Sequence, residues 1–310
     1  MTKPGTKNVG ASVRQRLLNK ARDTGRPFSE LLQYFAMERF LYRLSESEHA
    51  DKFVLKGALM LTAWNAPLLR PTMDIDLLGR TGNDIGAIAA IVRQICAGHV
   101  EPDDGIVFDP ATVQGERIAE AAEYEGVRVR FHATLDAARI QMQLDIGFGD
   151  VVVPAAVPTI YPTILDLPAP HLMAYSRETA IAEKFEAMVK LGELNSRMKD
   201  FFDIWLLSRS FDFDGPRLCE AIEKTFKRRG TLLPDGEPAA LTAEFSSNAQ
   251  KQAQWAGFIR RMKLRDVPSF PEIVDGLREF LMPLVRAVSK SEYFDLGWIG
   301  HQRKWRGERT

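Results

Sequence analysis

Between Gly126 and Asp150 the chain alternates in polarity residue by residue, twice over. Val127, Val129 and Phe131 alternate with Arg128, Arg130 and His132. Beyond a polar turn at Asp136, Ile140, Met142, Leu144, Ile146 and Phe148 alternate with Gln141, Gln143 and Asp145. A period of two sends successive side chains to opposite faces of a strand. Two such runs with a short connection predict a β-hairpin, one face buried and the other wet. Asp145 falls on the polar face of a strand whose other face is wholly apolar.

The alternation returns in Met73-Asp74-Ile75-Asp76-Leu77-Leu78, after a loop punctuated by Pro67 and Pro71. This predicts a strand with Asp74 and Asp76 on one face and Ile75 and Leu77 packed behind. Elsewhere in the first half the period is helical. Ser12 to Ser45 carries an apolar stripe that Gly25 and Pro27 break into two helices. Phe53 to Trp64 has a short apolar opening and then a helical run from Gly57, and Asn83 to Gly98 is helix. Val151 to Pro170, rich in proline, reads as an edge segment leading to a domain boundary. Beyond it helices are expected over Ser176–Leu194, Met198–Arg209, Arg217–Arg229, Leu241–Met262 and Ile273–Lys290, with a frayed tail from His301 to Thr310. The expected architecture is α+β: residues 1–168 with N-terminal helices and a small mixed sheet, then a helical domain, 169–310, that completes the active-site cleft.

Composition narrows the function classes. Lys plus Arg and Asp plus Glu both total 41, so the formal net charge is zero, which argues against permanent residence on nucleic acid through bulk charge. Cys96 and Cys219 are far apart with no CxxC spacing, so neither a disulfide framework nor a zinc site is expected, and a reducing cytoplasm suits the chain. The polar first ten residues carry no apolar signal-peptide core. No run reaches the roughly 20 apolar residues of a membrane span. There is no HExxH, Walker A loop or GxSxG elbow, and Gly147-Phe148-Gly149 lacks the third glycine of a dinucleotide fingerprint.

Two carboxylates on one strand face repel each other, and burying them alone is costly. A divalent cation removes that cost, and Mg²⁺ favours carboxylate and phosphate oxygens. Asp145 offers a third carboxylate from a strand of the right parity, enough for two Mg²⁺ ions flanking the attacking and leaving oxygens of a phosphoryl displacement. A bare DxD pair is more often a solvated strand end, and it is Asp145 that tips the reading. Two basic clusters, Lys224-Lys227-Arg228-Arg229 and Arg260-Arg261-Lys263-Arg265, read first as solvated helix faces and second as phosphate contacts for an RNA.

Five segments in order, Lys56-Gly57-Ala58-Leu59-Met60-Leu61, Arg70 to Asp76, Gln143 to Asp150, Ala182-Glu183-Lys184 and Arg197 to Asp203, resemble the AbiEii/AbiGii toxin family, which includes the MenT toxins and belongs to the DNA polymerase β-like nucleotidyltransferases. The superfamily often has Gly-Ser or Gly-Gly where this chain has Gly57-Ala58, so a hydroxyl contact to phosphate is missing, although Gly57 permits close backbone approach. The resemblance implies transfer of an NMP from an NTP to an acceptor hydroxyl. The acceptor would be a tRNA 3′ end, in a toxin with a cognate antitoxin. It implies Asp74, Asp76 and Asp145 as metal ligands, Lys184 as a catalytic phosphate contact, and Lys56, Gly57, Thr72, Asp200 and Asp203 on the NTP. Lys184 lies among Ala182, Phe185, Met188 and Val189, where a triphosphate would be its anionic partner, or where it snorkels at a helix edge. Asp200 and Asp203 share a helix face and orient Lys184, Lys199 or Arg197, bind nucleotide, or form an exposed salt-bridged face. Strand parity would put the Thr72 hydroxyl beside the carboxylates, open to a kinase-like antitoxin. Nucleotidylation of a protein or of a small molecule such as an aminoglycoside, and an inactive nucleotide-binding module, are the alternatives.

Overall fold

Gly25 adopts the left-handed conformation (φ 68°) that ends a helix, and Pro27 opens the next, so the chain breaks where these two residues predict. The structure, a computed structural model, describes residues 8–67, 70–120 and 124–307. Its contacts divide it into two units. One comprises 1–64, 71–149 and 157–174; the other comprises 65–70, 150–156 and 175–310.

The first unit runs α1 (Val9–Thr24), α2 (Phe28–Ser45), β1 (Phe53–Lys56), α3 (Leu59–Ala63), β2 (Ile75–Gly79), α4 (Ile85–Ala97), β3 (Ile106–Glu120), β4 (Tyr124–Leu135), β5 (Ala138–Phe148), β6 (Val157–Ile160) and β7 (His171–Ala174). The strands form one mixed sheet of seven, in the order β3-β4-β5-β2-β1-β7-β6. β2 pairs with β5 and β1 with β7 in parallel, and the remaining neighbours are antiparallel. The predicted hairpin is β4–β5, turning at Asp136 with φ 53°. Its alternate apolar side chains, Val127 to Ile146, are buried in a core with α2 and α4. There Phe40, Phe108 and Phe131 meet with ring centroids 5.2 to 6.0 Å apart.

The sheet is larger than its sequence signals. β1 is buried at all four positions, as a central strand should be, so Phe53–Lys56 shows an apolar run rather than alternation. β3 pairs along β4 but shifts register between Asp109 and Gln114, across Pro110, and the irregularity erases its period. α2 is also more than an amphipathic stripe. Its Arg39 donates to the Pro168 carbonyl at 2.7 Å, Glu38 accepts from the Ile164 amide at 2.7 Å, and Arg43 grips Asp104 through both guanidinium arms.

The second unit contains α5 (Arg177–Leu191), α6 (Met198–Ser210), β8 (Phe213–Asp214), α7 (Gly215–Arg229), α8 (Ala243–Ser247), α9 (Ala249–Met262), α10 (Phe270–Ser289), β9 (Leu296–Ile299) and β10 (Lys304–Gly307). Ser176 caps α5 as expected, accepting from the Thr179 amide. Two expectations are corrected. Leu241–Met262 is not one helix: Thr242 and Asn248 cap separate starts for α8 and α9. The tail is not frayed through Gly307, because β10 joins β9 and β8 in a three-stranded sheet and Trp305 stacks on Phe280 at 5.7 Å. The last part of the expected tail, 308–310, lies outside the described residues.

Candidate active site

Sheet register builds the first cluster. The parallel β2–β5 pairing sets Asp76 beside Asp145, the β1–β2 pairing sets Lys56 beside Asp76, and the hairpin sets Arg128 beside Asp145. Directly paired residues share a face. Arg128, Asp145, Asp76 and Lys56 therefore form one row across four strands, with a cation at each end and two carboxylates between. The opposite parity, with Leu55, Ile75, Leu77, Leu144, Ile146 and Val127, is buried beneath it.

Arg128 holds both oxygens of Asp145, Nε to Oδ1 at 2.7 Å and Nη2 to Oδ2 at 2.6 Å, and the Gln143 amide adds a donor at 3.3 Å. The hydrogen bond to Asp145 raises the pKa of Arg128 against partial desolvation, with further help from the charges of Asp145, Asp74 and Glu116. Gly57 has φ 73°, and a Cβ there would collide with the Asp76 carboxylate. The close approach read from this glycine is thus an approach to Asp76, and the backbone at Gly57 forms one wall of the carboxylate's seat.

Two placements differ from expectation. Asp74 lies in a bend one residue ahead of β2, so strand parity does not fix its direction. Thr72 is likewise outside the strand. Its amide donates to the Tyr34 hydroxyl at 3.2 Å, while its own hydroxyl lies 3.5 Å from both the amide nitrogen and the carbonyl oxygen of Asp74. That hydroxyl addresses the local main chain, as Ser and Thr do in tight turns. Among the described residues no group of three or more His, Cys, Asp or Glu converges as a metal site, so the three aspartates do not form a finished cage.

The helical unit has its own charge cluster. Lys184 Nζ lies 3.0 Å from Asp200 and 2.8 Å from Asp203. Arg70 grips Asp203 through two bonds, 2.7 and 2.9 Å, and Arg197 holds Asp200 at 2.6 Å. Asp200 and Asp203 are almost wholly buried, so the exposed-face alternative fails, and the orienting role for Lys184 and Arg197 is the one the geometry supports. The apolar setting of Lys184 does not leave it without an anion, contrary to what its neighbours in sequence suggest. Burial pushes the ammonium towards neutrality, but Asp200 and Asp203 outweigh it and raise its pKa. Burial likewise opposes ionisation of Asp203, and Arg70 and Lys184 overcome it, holding the carboxyl well below its ordinary range.

Of the basic clusters, the first is largely structural. Arg229 binds Asp150 at 2.9 Å and Glu186 at 2.9 Å, and Lys224 pairs with Glu220 one turn away. Two arginines of the carboxylate clusters, Arg70 on Asp203 and Arg128 on Asp145, carry no role in the sequence reading. Arg128 is within its reach: counting outward from the Asp136 turn pairs it with Asp145. Arg70 opens the second family-like segment, but nothing local points to its bond with Asp203, 133 positions away.

A family model described as nucleotidyl transferase AbiEii toxin, type IV toxin–antitoxin system, matches residues 39–276. No curated protein matches the chain in sequence. Among solved structures, a Helicobacter pylori protein provisionally described as a nucleotidyltransferase is 14% identical with a TM-score of 0.45, covering 86% of this chain and 98% of its own. JHP933 from the same organism is 14% identical with a TM-score of 0.46, covering 84% and 94%. The family match spans most of the chain and all five motifs, and the chain belongs to the AbiEii nucleotidyl transferase toxins of type IV toxin–antitoxin systems.

Proposed function

We propose that the chain moves an NMP from an NTP to a tRNA 3′ end, using Mg²⁺ held by Asp76 and Asp145 and joined by Asp74. The observation that carries this reading is the in-register pairing of Asp76 with Asp145 on β2 and β5. Neighbouring strands run about 4.8 Å apart, so two carboxylates on one row stand at the separation a shared hard cation bridges. Bound there, the metal ions would activate the acceptor hydroxyl and stabilise the leaving pyrophosphate. The acceptor oxygen bonds to the α-phosphorus, the bond to the bridging oxygen breaks, and pyrophosphate departs. Asp145 faces the attacking hydroxyl, and Lys56, on the same row, supplies positive charge for the triphosphate.

Arg128 is a cation already seated on Asp145. A metal on Asp145 would compete with this guanidinium for the carboxylate's lone pairs, and any N–H group it displaces suits a phosphate. Lys184 is held ready by Asp200 and Asp203 as the helical unit's phosphate contact. Family membership implies an antitoxin partner. A cytoplasmic location fits this chemistry, and no helix among the described residues is long and apolar enough to cross a membrane.

The test is incubation with each α-³²P-labelled NTP, Mg²⁺, and total tRNA or total protein in separate tubes. Label in tRNA that is lost with Asp76→Ala supports the reading. Label only in protein moves the acceptor to a polypeptide, and label in neither overturns nucleotidyl transfer to macromolecules.

A further inference from the structure

The first turn of α6 and the second half of α9 enclose a cleft of about 650 Å³ within the helical unit. That volume is typical of ligand sites. Its charged lining is entirely basic: Arg70, Arg197, Lys199, Arg260 and Arg261, with no carboxylate among the residues that face it. Arg70 and Arg197 are the outer members of the buried Lys184 network. Within that network Lys184, Arg70 and Arg197 hold the buried Asp200 and Asp203, while Lys199, Arg260 and Arg261 stand on the rim of the cleft. Lys199, Arg260 and Arg261 are exposed and form no ion pair among the described residues. The N-terminus of α6 opens on the same cleft and adds its partial positive charge.

Two further features narrow the ligand. Phe258, buried against Phe202 and Trp255, gives the cleft an apolar side. Gln254 also lines the cleft, and its side-chain oxygen is buried with no donor among the described residues. Such an acceptor is costly to leave unpaired. It calls for a ligand that brings a hydroxyl or amine as well as negative charge. The 2′-hydroxyl is the donor that RNA carries and DNA lacks.

We infer that this cleft binds the phosphate backbone of an RNA strand, with Lys199, Arg260 and Arg261 on successive phosphates and Gln254 accepting from a ribose 2′-hydroxyl. This deepens the proposed function, since it rests on RNA being the acceptor. The cations are spread along an exposed rim, which suits a strand of phosphates better than one triphosphate.

The test measures binding of fluorescein-labelled tRNA by anisotropy over a salt series, on the full chain and without NTP. The triple variant Lys199→Ala, Arg260→Ala, Arg261→Ala should bind about tenfold or more weakly. Its log–log salt slope should be shallower by roughly 2 to 3, since each neutralised phosphate contributes about 0.7 to 0.9. Its melting temperature and its NTP affinity by calorimetry should match the parent, because no ion pair is removed. The charge-preserving Lys199→Arg, Arg260→Lys, Arg261→Lys variant should keep the slope. Gln254→Leu should narrow the preference for an RNA oligonucleotide over DNA of the same sequence. Parent-like affinity and slope in the alanine triple, absence of tRNA binding by the parent, or loss of NTP binding with RNA binding intact would each overturn the assignment. Binding is read without catalysis, so tRNA binding in a chain that transfers no label would sink the proposed function and leave the cleft standing.

Discussion

The sheet row and the helical cluster contain nearly the same ingredients, aspartates, lysines and arginines, yet they arrange them differently. In the helical unit two buried carboxylates are satisfied by three cations through short, directed bonds. A buried charge set of this kind survives only when every member is paired, and removing one member leaves the others stranded. On the sheet, Asp76 and Asp145 pair directly in register, and the cations, Arg128 on Asp145 and Lys56 beside Asp76, stand at the two ends of the row. Like charges at this spacing are retained at a cost unless a ligand completes them. The contrast teaches that the same residue types make a brace where buried carboxylates and cations interleave, and a metal seat where two carboxylates stand side by side in one row.

Asp76→Ala tests the site half most severely. Transfer should fall by at least about 10³-fold, a loss near 4 kcal/mol of transition-state stabilisation, while the melting temperature holds or rises through relief of repulsion. A protein that unfolds yet transfers label would make the row the brace. Asp203→Ala tests the other half. It removes the two-bond partner of Arg70 and one of the two carboxylates on Lys184, so chemical denaturation should show a loss of about 3–5 kcal/mol. If stability is intact, Asp203 braces nothing and the contrast collapses. Gly57→Ala forces a side chain into the left-handed region and into Asp76, at a strain of about 1–3 kcal/mol. It should weaken Mn²⁺ binding together with transfer, and a parent-like enzyme would show that Asp76 has another seat.

Smaller effects sharpen the picture. Arg128→Ala should tighten Mn²⁺ binding several-fold in calorimetry, because a competing cation leaves Asp145. Unchanged affinity would mean that Arg128 never competes for the carboxylate. The pH dependence of stability separates the halves most gently. The folded pKa of Asp203 is depressed, chiefly by Arg70 and Lys184 working against burial. Its contribution is therefore complete above the ordinary value near 4 and is lost as pH falls towards the folded value. Asp203→Asn should flatten the acid limb of a melting-temperature profile below about pH 4, and a profile that keeps its acid limb would show that Asp203 does not carry it.

The hairpin and the row it carries are legible in the sequence because period two fixes faces, and faces fix which charges meet. Parity alone puts Asp145 and Asp76 on the polar faces of their strands, and Gly57 stands out as a close approach. Lys184 is harder to read for a physical reason. Its helical neighbours are apolar, but its partners come from α6 and lie 16 and 19 positions on, beyond any local pattern. Asp74 and Thr72 elude parity because the strand begins only at Ile75. β1 and β3 escape because a fully buried strand and a strand with shifted register both lose alternation. In the helical half, the short strands β8 to β10 are too brief to carry a period.

The parallel pairing of β2 with β5 also sets a timetable. The hairpin β4–β5 closes between near neighbours, and such contacts form early. Asp76 and Asp145 are roughly 70 residues apart in the chain and become adjacent only through a crossover, the slow kind of connection to close. During synthesis no row can exist until Phe148 has left the ribosome, since β5 ends there. A nascent toxin is thus without its carboxylate row up to that point, and Lys184 and the α6 aspartates that hold it emerge later still.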